Sequence, residues 1–178
     1  MIRRKKIEAI ADQILDRYQA GDLPVRVESI AKQLGLEVRR QKLEDSNLSA
    51  FLYREGNRSI IGVNASHAEV RQRFSIAHEI GHFLLHSESL HYDRSVQAQV
   101  FLRDAKASEG VYQQEIEANA FAACLLMPRQ FVLGDLEGLD RDVDILSPEI
   151  ERLARQRYKV SPQAFTHRLS ALGFIEPW

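Results

Sequence analysis

The sequence predicts an α+β fold, and three observations carry that reading. Apolar residues recur at three- and four-residue spacing near the start and the end of the chain. Two short runs rich in β-branched and aromatic residues lie close together in the first half. Two strongly helical segments flank an irregular stretch in the middle. At 178 residues the chain suits one domain with a small appendage. Its 24 basic and 25 acidic residues give a net charge of -1, which opposes a dedicated nucleic-acid binder. The single cysteine, Cys124, excludes an internal disulfide framework and fits a reducing, cytoplasmic compartment. No apolar stretch is long enough to cross a bilayer, and no apolar signal core follows the basic residues Arg3 to Lys6, so no membrane partner is expected.

Taken in order, Ile7, Ile10, Ala11, Ile14 and Leu15 predict a helix over 4–19, ended by Gly21 to Pro24. Val27, Ile30, Ala31 and Leu34 predict a second helix over 26–34, stopped by Gly35. Leu36 to Val38 alternates like a short strand. Ala50 to Tyr53 and Ser59 to Val63, separated by Glu55-Gly56-Asn57, read as a β-hairpin. Ser66-His67-Ala68-Glu69 has the form of a capping box and sets a helix start at Ser66, running to about His86. Residues 87–113 show no clear period, with Val100 to Leu102 as a candidate strand. Glu115 to Met127 is helical again, Pro128 turns the chain, and Gly134 to Asp144 reads as an acidic loop. Ser147-Pro148 and Ser161-Pro162 each start a helix with proline at its first position. The expected division is a main domain over 1–146, including the N-terminal helices, and a C-terminal helical subdomain over 147–178.

Chemistry concentrates in His78-Glu79-Ile80-Gly81-His82, an H-E-x-x-H sequence inside a predicted helix. Residues i and i+4 differ by only about 40° around a helix and about 6 Å along it, so two imidazoles so placed can ligate one ion. Neutral imidazole suits zinc, and a catalytic zinc site takes three protein ligands and leaves a place for water. Glu79 follows the first histidine, where its carboxylate can reach that water as general base. Manganese and iron suit the same donors.

A third ligand completes such a site. His86 continues the series, but it lies about 12 Å along the axis from His78, too far to share one ion, and reads as a capping or surface histidine. Glu115 and Glu117 remain. With Glu115 as origin, Ala118, Asn119, Ala122 and Leu126 lie within about 60° of it, whereas Glu117 lies about 160° away, towards Phe121 and Cys124. The Glu115 face carries small residues that allow close approach to Gly81, and Asn119 can hydrogen-bond a ligating histidine. This favours Glu115 as the ligand over a solvated residue in an acidic block, and leaves Glu117 to solvent or a salt bridge.

The runs Arg73 to His86 (RFSIAHEIGHFLLH) and Glu115 to Pro128 (EIEANAFAACLLMP) resemble the two signature segments of the ImmA/IrrE family of zinc metallo-endopeptidases. Phe101 to Asp104 is similar to a shorter family element, and Val27 to Leu36 and Val160 to Gly173 are also similar. The resemblance implies a thermolysin-like zinc-peptidase core, in which a small sheet supports the H-E-x-x-H helix and a third-ligand helix. It implies His78 and His82 as ligands, Glu79 as general base and, from E-x-x-A-N, Glu115 as third ligand. It further implies limited proteolysis of a regulatory protein, such as a helix-turn-helix repressor encoded nearby in a stress-response or mobile-element operon.

Other features carry less. The hairpin over 50–63 reads either as an edge on which a peptide substrate pairs or as an ordinary structural hairpin. His91, Tyr92, Arg94 and Tyr112 are candidate oxyanion donors by position alone. The C-terminal helices, with Arg152, Arg155, Arg157, Lys159 and Arg168, read as a packing subdomain. Their alternative is a helix-turn-helix-like region through which a non-proteolytic regulator would touch DNA or a partner.

Overall fold

The computed structural model describes residues 4–86, 90–94, 105–137 and 147–175. Helix α1 (Arg4–Arg17) buries Ile7, Ala11, Ile14 and Leu15, the stripe that the spacing predicts, and α2 (Val27–Gln33) buries Val27, Ile30 and Ala31. Four strands follow in a mixed sheet: β1 (Leu36–Gln41), β2 (Leu48–Glu55), β3 (Arg58–Asn64) and, after the central helix, β4 (Leu90–Arg94). Their order is β1-β3-β2-β4, with β1 parallel to β3 and the other pairs antiparallel.

Period-two alternation decides how the sheet is dressed. Ala50 and Leu52 of β2 stand opposite Val63 and Ile61 of β3, and all four are buried on one face. On the other face Phe51 pairs with Gly62, and its ring fills the place of a side chain: a Cβ on Gly62 would lie 2.2 Å from Phe51 Cε1. The hairpin is as predicted, but it has no free edge, because β3 is covered by β1 and β2 by β4. Among the described residues the sheet's edges are β1 and β4.

Helix α3 (Glu69–Leu85) lies against the buried face of β2 and β3, and α4 (Ala105–Leu126) packs along α3. Every residue from Ser75 to His82 is buried, since sheet and α4 cover the helix on both sides. The capping box at Ser66 does not form. Asn64 Oδ1 accepts the Ser66 backbone N–H and its amide donates to Leu48 O, holding that turn out of the helix. The helix starts three residues later, where the N–H groups of Arg71 and Gln72 donate to Ala68 O.

The segment without period over 87–113 contains β4 and the first two turns of α4, which begins at Ala105 rather than Glu115. A further helix, α5 (Arg129–Glu137), takes up the start of the expected acidic loop; the rest of that loop and Val100 to Leu102 lie outside the described residues. Both Ser-Pro starts hold. Ser147 Oγ accepts from Ile150 N at the head of α6 (Pro148–Arg152), and Ser161 Oγ from Ala164 N at the head of α7 (Pro162–Ala171). Between them, Leu153–Tyr158 winds as a π-helical segment ending at Lys159 with φ +54°.

One apolar cluster joins these parts, from Ile7 and Ile30 through Ile61, Ile80, Phe121 and Leu125 to Tyr158 and Phe165. Arg168 crosses it as a polar tie. Only 4% exposed, it donates to Met127 O, to Cys124 Sγ and to Glu8, fastening α7 to α4 and α1.

Candidate metal centre

Gly81 brings α3 and α4 together. A Cβ there would lie 3.1 Å from Ala118 Cα and 3.2 Å from its carbonyl oxygen, so the two helices touch backbone to backbone. His78, one turn before Gly81, and His82, the residue after it, project from α3 with ring centroids 4.7 Å apart, and Glu115 projects from α4 one turn before Ala118. His78 Nε2 lies 3.0 Å from His82 Nε2 and 3.4 Å from Glu115 Oε2, and His82 Nε2 lies 3.2 Å from Glu115 Oε1. These three side chains could hold a metal ion.

The donor set fits a divalent cation on two counts. Zinc bonds of about 2.0–2.1 Å in a tetrahedral site set ligand atoms about 3.3–3.4 Å apart, close to the three separations observed. The site is also dry: His78 and His82 are each 2% exposed, Glu115 7% and Glu79 0%. Packing two carboxylates among imidazoles away from water is costly unless a positive charge offsets them.

Three of the residues singled out from the sequence, His78, His82 and Glu115, thus meet in one place, and Glu79, next to His78 in the chain, is wholly buried. Asn119 joins them, its Oδ1 2.9 Å from His78 Nδ1, which donates when Nε2 faces the ion. Asn119 also opens onto a groove of about 810 Å³ walled by Val70, Phe74, Ile116, Ala120 and Ala164. The sequence reading placed His86 at the end of the helix as a cap or a surface group. It does take the C-cap of α3, but its side chain turns inward, with Nδ1 3.0 Å from His82 Nδ1 and Nε2 3.4 Å from Glu117 Oε2. Nothing in the sequence pattern singles out Arg54 of β2. Its guanidinium lies over the Phe83 ring and donates to His82 O and His86 O, a positive charge at the carbonyl end of α3.

Tyr112 is 65% exposed. His91, Tyr92 and Arg94 lie on β4, whose side chains are outside the described set, as is Phe101 to Asp104. Cys124 is a buried thiol, pushed up to about 11 by burial against the opposing pull of the Arg168 charge. Of the basic residues near the C-terminus, Arg168 is buried, Arg157 pairs with Asp135 and Arg155 with Glu151.

A family model described as an IrrE N-terminal-like domain, peptidase M78, matches residues 31–170. The chain belongs to this family. It is a metallopeptidase family, and the buried His78, His82 and Glu115 could bind a metal ion. Among solved structures, a Mycobacterium tuberculosis transcriptional regulator superposes with a TM-score of 0.60 at 16% identity, over 93% of this chain and 46% of that one. The chain therefore spans under half the length of that regulator, and the likeness is one of fold. A search of curated proteins finds no match. Among the described residues, no helix is long and apolar enough to cross a membrane.

Proposed function

We propose that the chain is a zinc-dependent endopeptidase that cuts a regulatory protein by limited proteolysis, its substrate a helix-turn-helix transcriptional repressor. The reading treats residues 1–146 as the peptidase domain and 147–178 as a helical subdomain seated on it. The observation that carries it is the convergence of His78, His82 and Glu115 beside the wholly buried Glu79. His78, His82 and Glu115 would hold the ion, and three protein ligands are the number of a catalytic site rather than a closed structural one. Zinc bound there supplies Lewis-acid polarisation of a peptide carbonyl and a water of lowered pKa.

The protein's own groups do the rest. Glu79 takes a proton from the water as its oxygen attacks the scissile carbonyl carbon. It then delivers that proton to the amide nitrogen as the C–N bond breaks, work worth about 10²–10⁴ in rate. Asn119 fixes the His78 ring so that Nε2 points inward. Substrate docking falls to β4, since both hairpin strands are paired on each side. Among the described residues β4 is an edge that touches α3, and an extended peptide can align along its outer side. A regulator that grips DNA through its C-terminal helices draws less support, because three of their basic side chains are already engaged within the fold.

The test is incubation of the zinc-loaded protein with the repressor encoded beside it, read by intact mass. Glu79→Gln should keep its metal and lose cleavage by about 10² or more. His82→Ala should lose both. Cleavage by Glu79→Gln at the wild-type rate would overturn the role of general base.

A further inference from the structure

We propose that His86 and Glu117 form a relay that fixes His82 as a metal ligand, so that the two metal-facing histidines are held from behind by different devices. The inference rests on the metal-centre reading of His78, His82 and Glu115, and it gives work to two residues that the metal itself would not touch.

Hydrogen positions along the relay follow from one requirement. His82 Nε2 faces Glu115 Oε1 at 3.2 Å and must keep its lone pair for an ion. A neutral imidazole then carries its hydrogen on Nδ1. That nitrogen lies 3.0 Å from His86 Nδ1, which must accept, so His86 carries its own hydrogen on Nε2. His86 Nε2 lies 3.4 Å from Glu117 Oε2, a carboxylate that only accepts. Every bond in the series therefore runs outward, from His82 through His86 to Glu117. With these groups as drawn, the opposite tautomer would place a hydrogen on His82 Nε2 and block the ion.

The surroundings hold the relay in this form. The His86 side chain is 6% exposed and that of Glu117 17%, so water competes weakly for either. Gln113 donates to Glu117 Oε1 at 3.3 Å and orients the carboxylate. Arg54 grips His82 O and His86 O together, and the His86 N–H closes the last turn on His82 O. His78 has a plainer support, the neutral amide of Asn119. A carboxylate at the far end of the His82 arm makes that imidazole the more basic donor of the two. His86 and Glu117 are thus positioning residues that set the tautomer and the ligand strength of His82.

The experiment measures zinc affinity of the full chain by competition with a chromophoric chelator, with the visible spectrum of the cobalt-substituted protein as a second readout. His86→Ala should weaken zinc binding by about 10–100-fold and shift the cobalt bands. Glu117→Gln should weaken it less, because the amide still accepts. His86→Ala/Glu117→Gln should bind no more weakly than His86→Ala, since Glu117 acts only through His86. His86→Ala/Asn119→Ala should multiply the two single losses, because the arms are separate. Zinc affinity of His86→Ala within about twofold of wild type would overturn the proposal. So would a Glu117→Gln loss that adds in full to that of His86→Ala. Circular dichroism of the metal-free variants checks the fold; should His86→Ala fail it, Glu117→Gln and His86→Gln carry the test, the latter expected near wild type because its amide bridges both neighbours. Wild-type zinc affinity in both His78→Ala and His82→Ala would instead sink the metal-centre reading itself, a distinct result.

Discussion

Replacing Gly81 by alanine should destabilise the protein, although alanine is the better helix former. On propensity alone the change would stabilise α3 by about 1 kcal/mol. The new Cβ would meet Ala118 Cα at 3.1 Å, Ala118 O at 3.2 Å and Phe121 Cδ1 at 3.2 Å. Comfortable contact between carbons is about 3.5–4.0 Å, so each neighbour must give by several tenths of an ångström. Two of the three are backbone atoms of α4 and cannot rotate away, and the third belongs to a wholly buried ring. Relief therefore needs α4 itself to move out, an overpacking cost of about 1–3 kcal/mol. The difference is a net loss of about 1 kcal/mol, or about 2–4 °C in Tm for a chain of this size. The same movement carries Glu115, one turn before Ala118, away from both histidines, so the zinc-loaded protein should lose more stability than the metal-free one. Urea unfolding of both forms is the assay. Gly134→Ala in α5, where a Cβ meets nothing within 4 Å, is the control and should stabilise by up to about 1 kcal/mol. A metal-free Gly81→Ala as stable as wild type would refute the claim that close approach of the helices requires glycine.

Four further outcomes follow from the packing. Arg168→Ala should cost about 3 kcal/mol in urea unfolding, because it leaves Glu8 without its buried partner and Met127 O without a donor. Cys124 should resist a thiol reagent at pH 8 in the native protein and react at once in urea. Its thiol sits at about 11 against 9.0 for the free group, so its contribution to stability is full below about pH 9 and is lost as pH rises towards 11. Cys124→Ser should flatten that decline, and rapid labelling of the native thiol would contradict it. Ser161→Ala removes an N-cap and should cost about 1 kcal/mol. Ser66→Ala should change stability by less than about 0.5 kcal/mol, since the N-cap of α3 is Ala68.

What was legible in the chain follows the range of the interactions involved. The stripes of α1 and α2, the hairpin across Gly56 and both Ser-Pro starts are set by residues within a turn or two of one another, and each forms as read. The H-E-x-x-H helix is legible for the same reason. Where a local signal failed, a distant partner had outbid it. Ser66 has the capping sequence, but Asn64, tied to Leu48 sixteen residues away, holds the turn before the helix can use it. β4 has no pattern of its own worth trusting; it exists because β2 offers it a partner, with Leu52 opposite His91. Of the two readings of the hairpin, the one with a free edge failed likewise, since nothing within the hairpin records that β1 and β4 would close both sides.

The place of Glu117 depends on which direction across α4 is taken as the origin. On the wheel of α4, Glu117 lies about 160° from Glu115, which leaves it to solvent or a salt bridge, and it does pair, with His86. The direction that matters is the line of contact with α3, which passes through Ala118 where it meets Gly81. Measured from Ala118, Glu115 lies about 60° to one side and Glu117 about 100° to the other. The two carboxylates therefore straddle the contact, and both are long enough to curl around it. Glu115 reaches His78 and His82 on the side of the candidate metal site; Glu117 reaches His86, which stands behind His82. A single helix, crossing another at one glycine, thus presents acid to the front and the back of the same histidine. The acidic character of this stretch of chain is, at these two positions, a feature of the site and not of the surface.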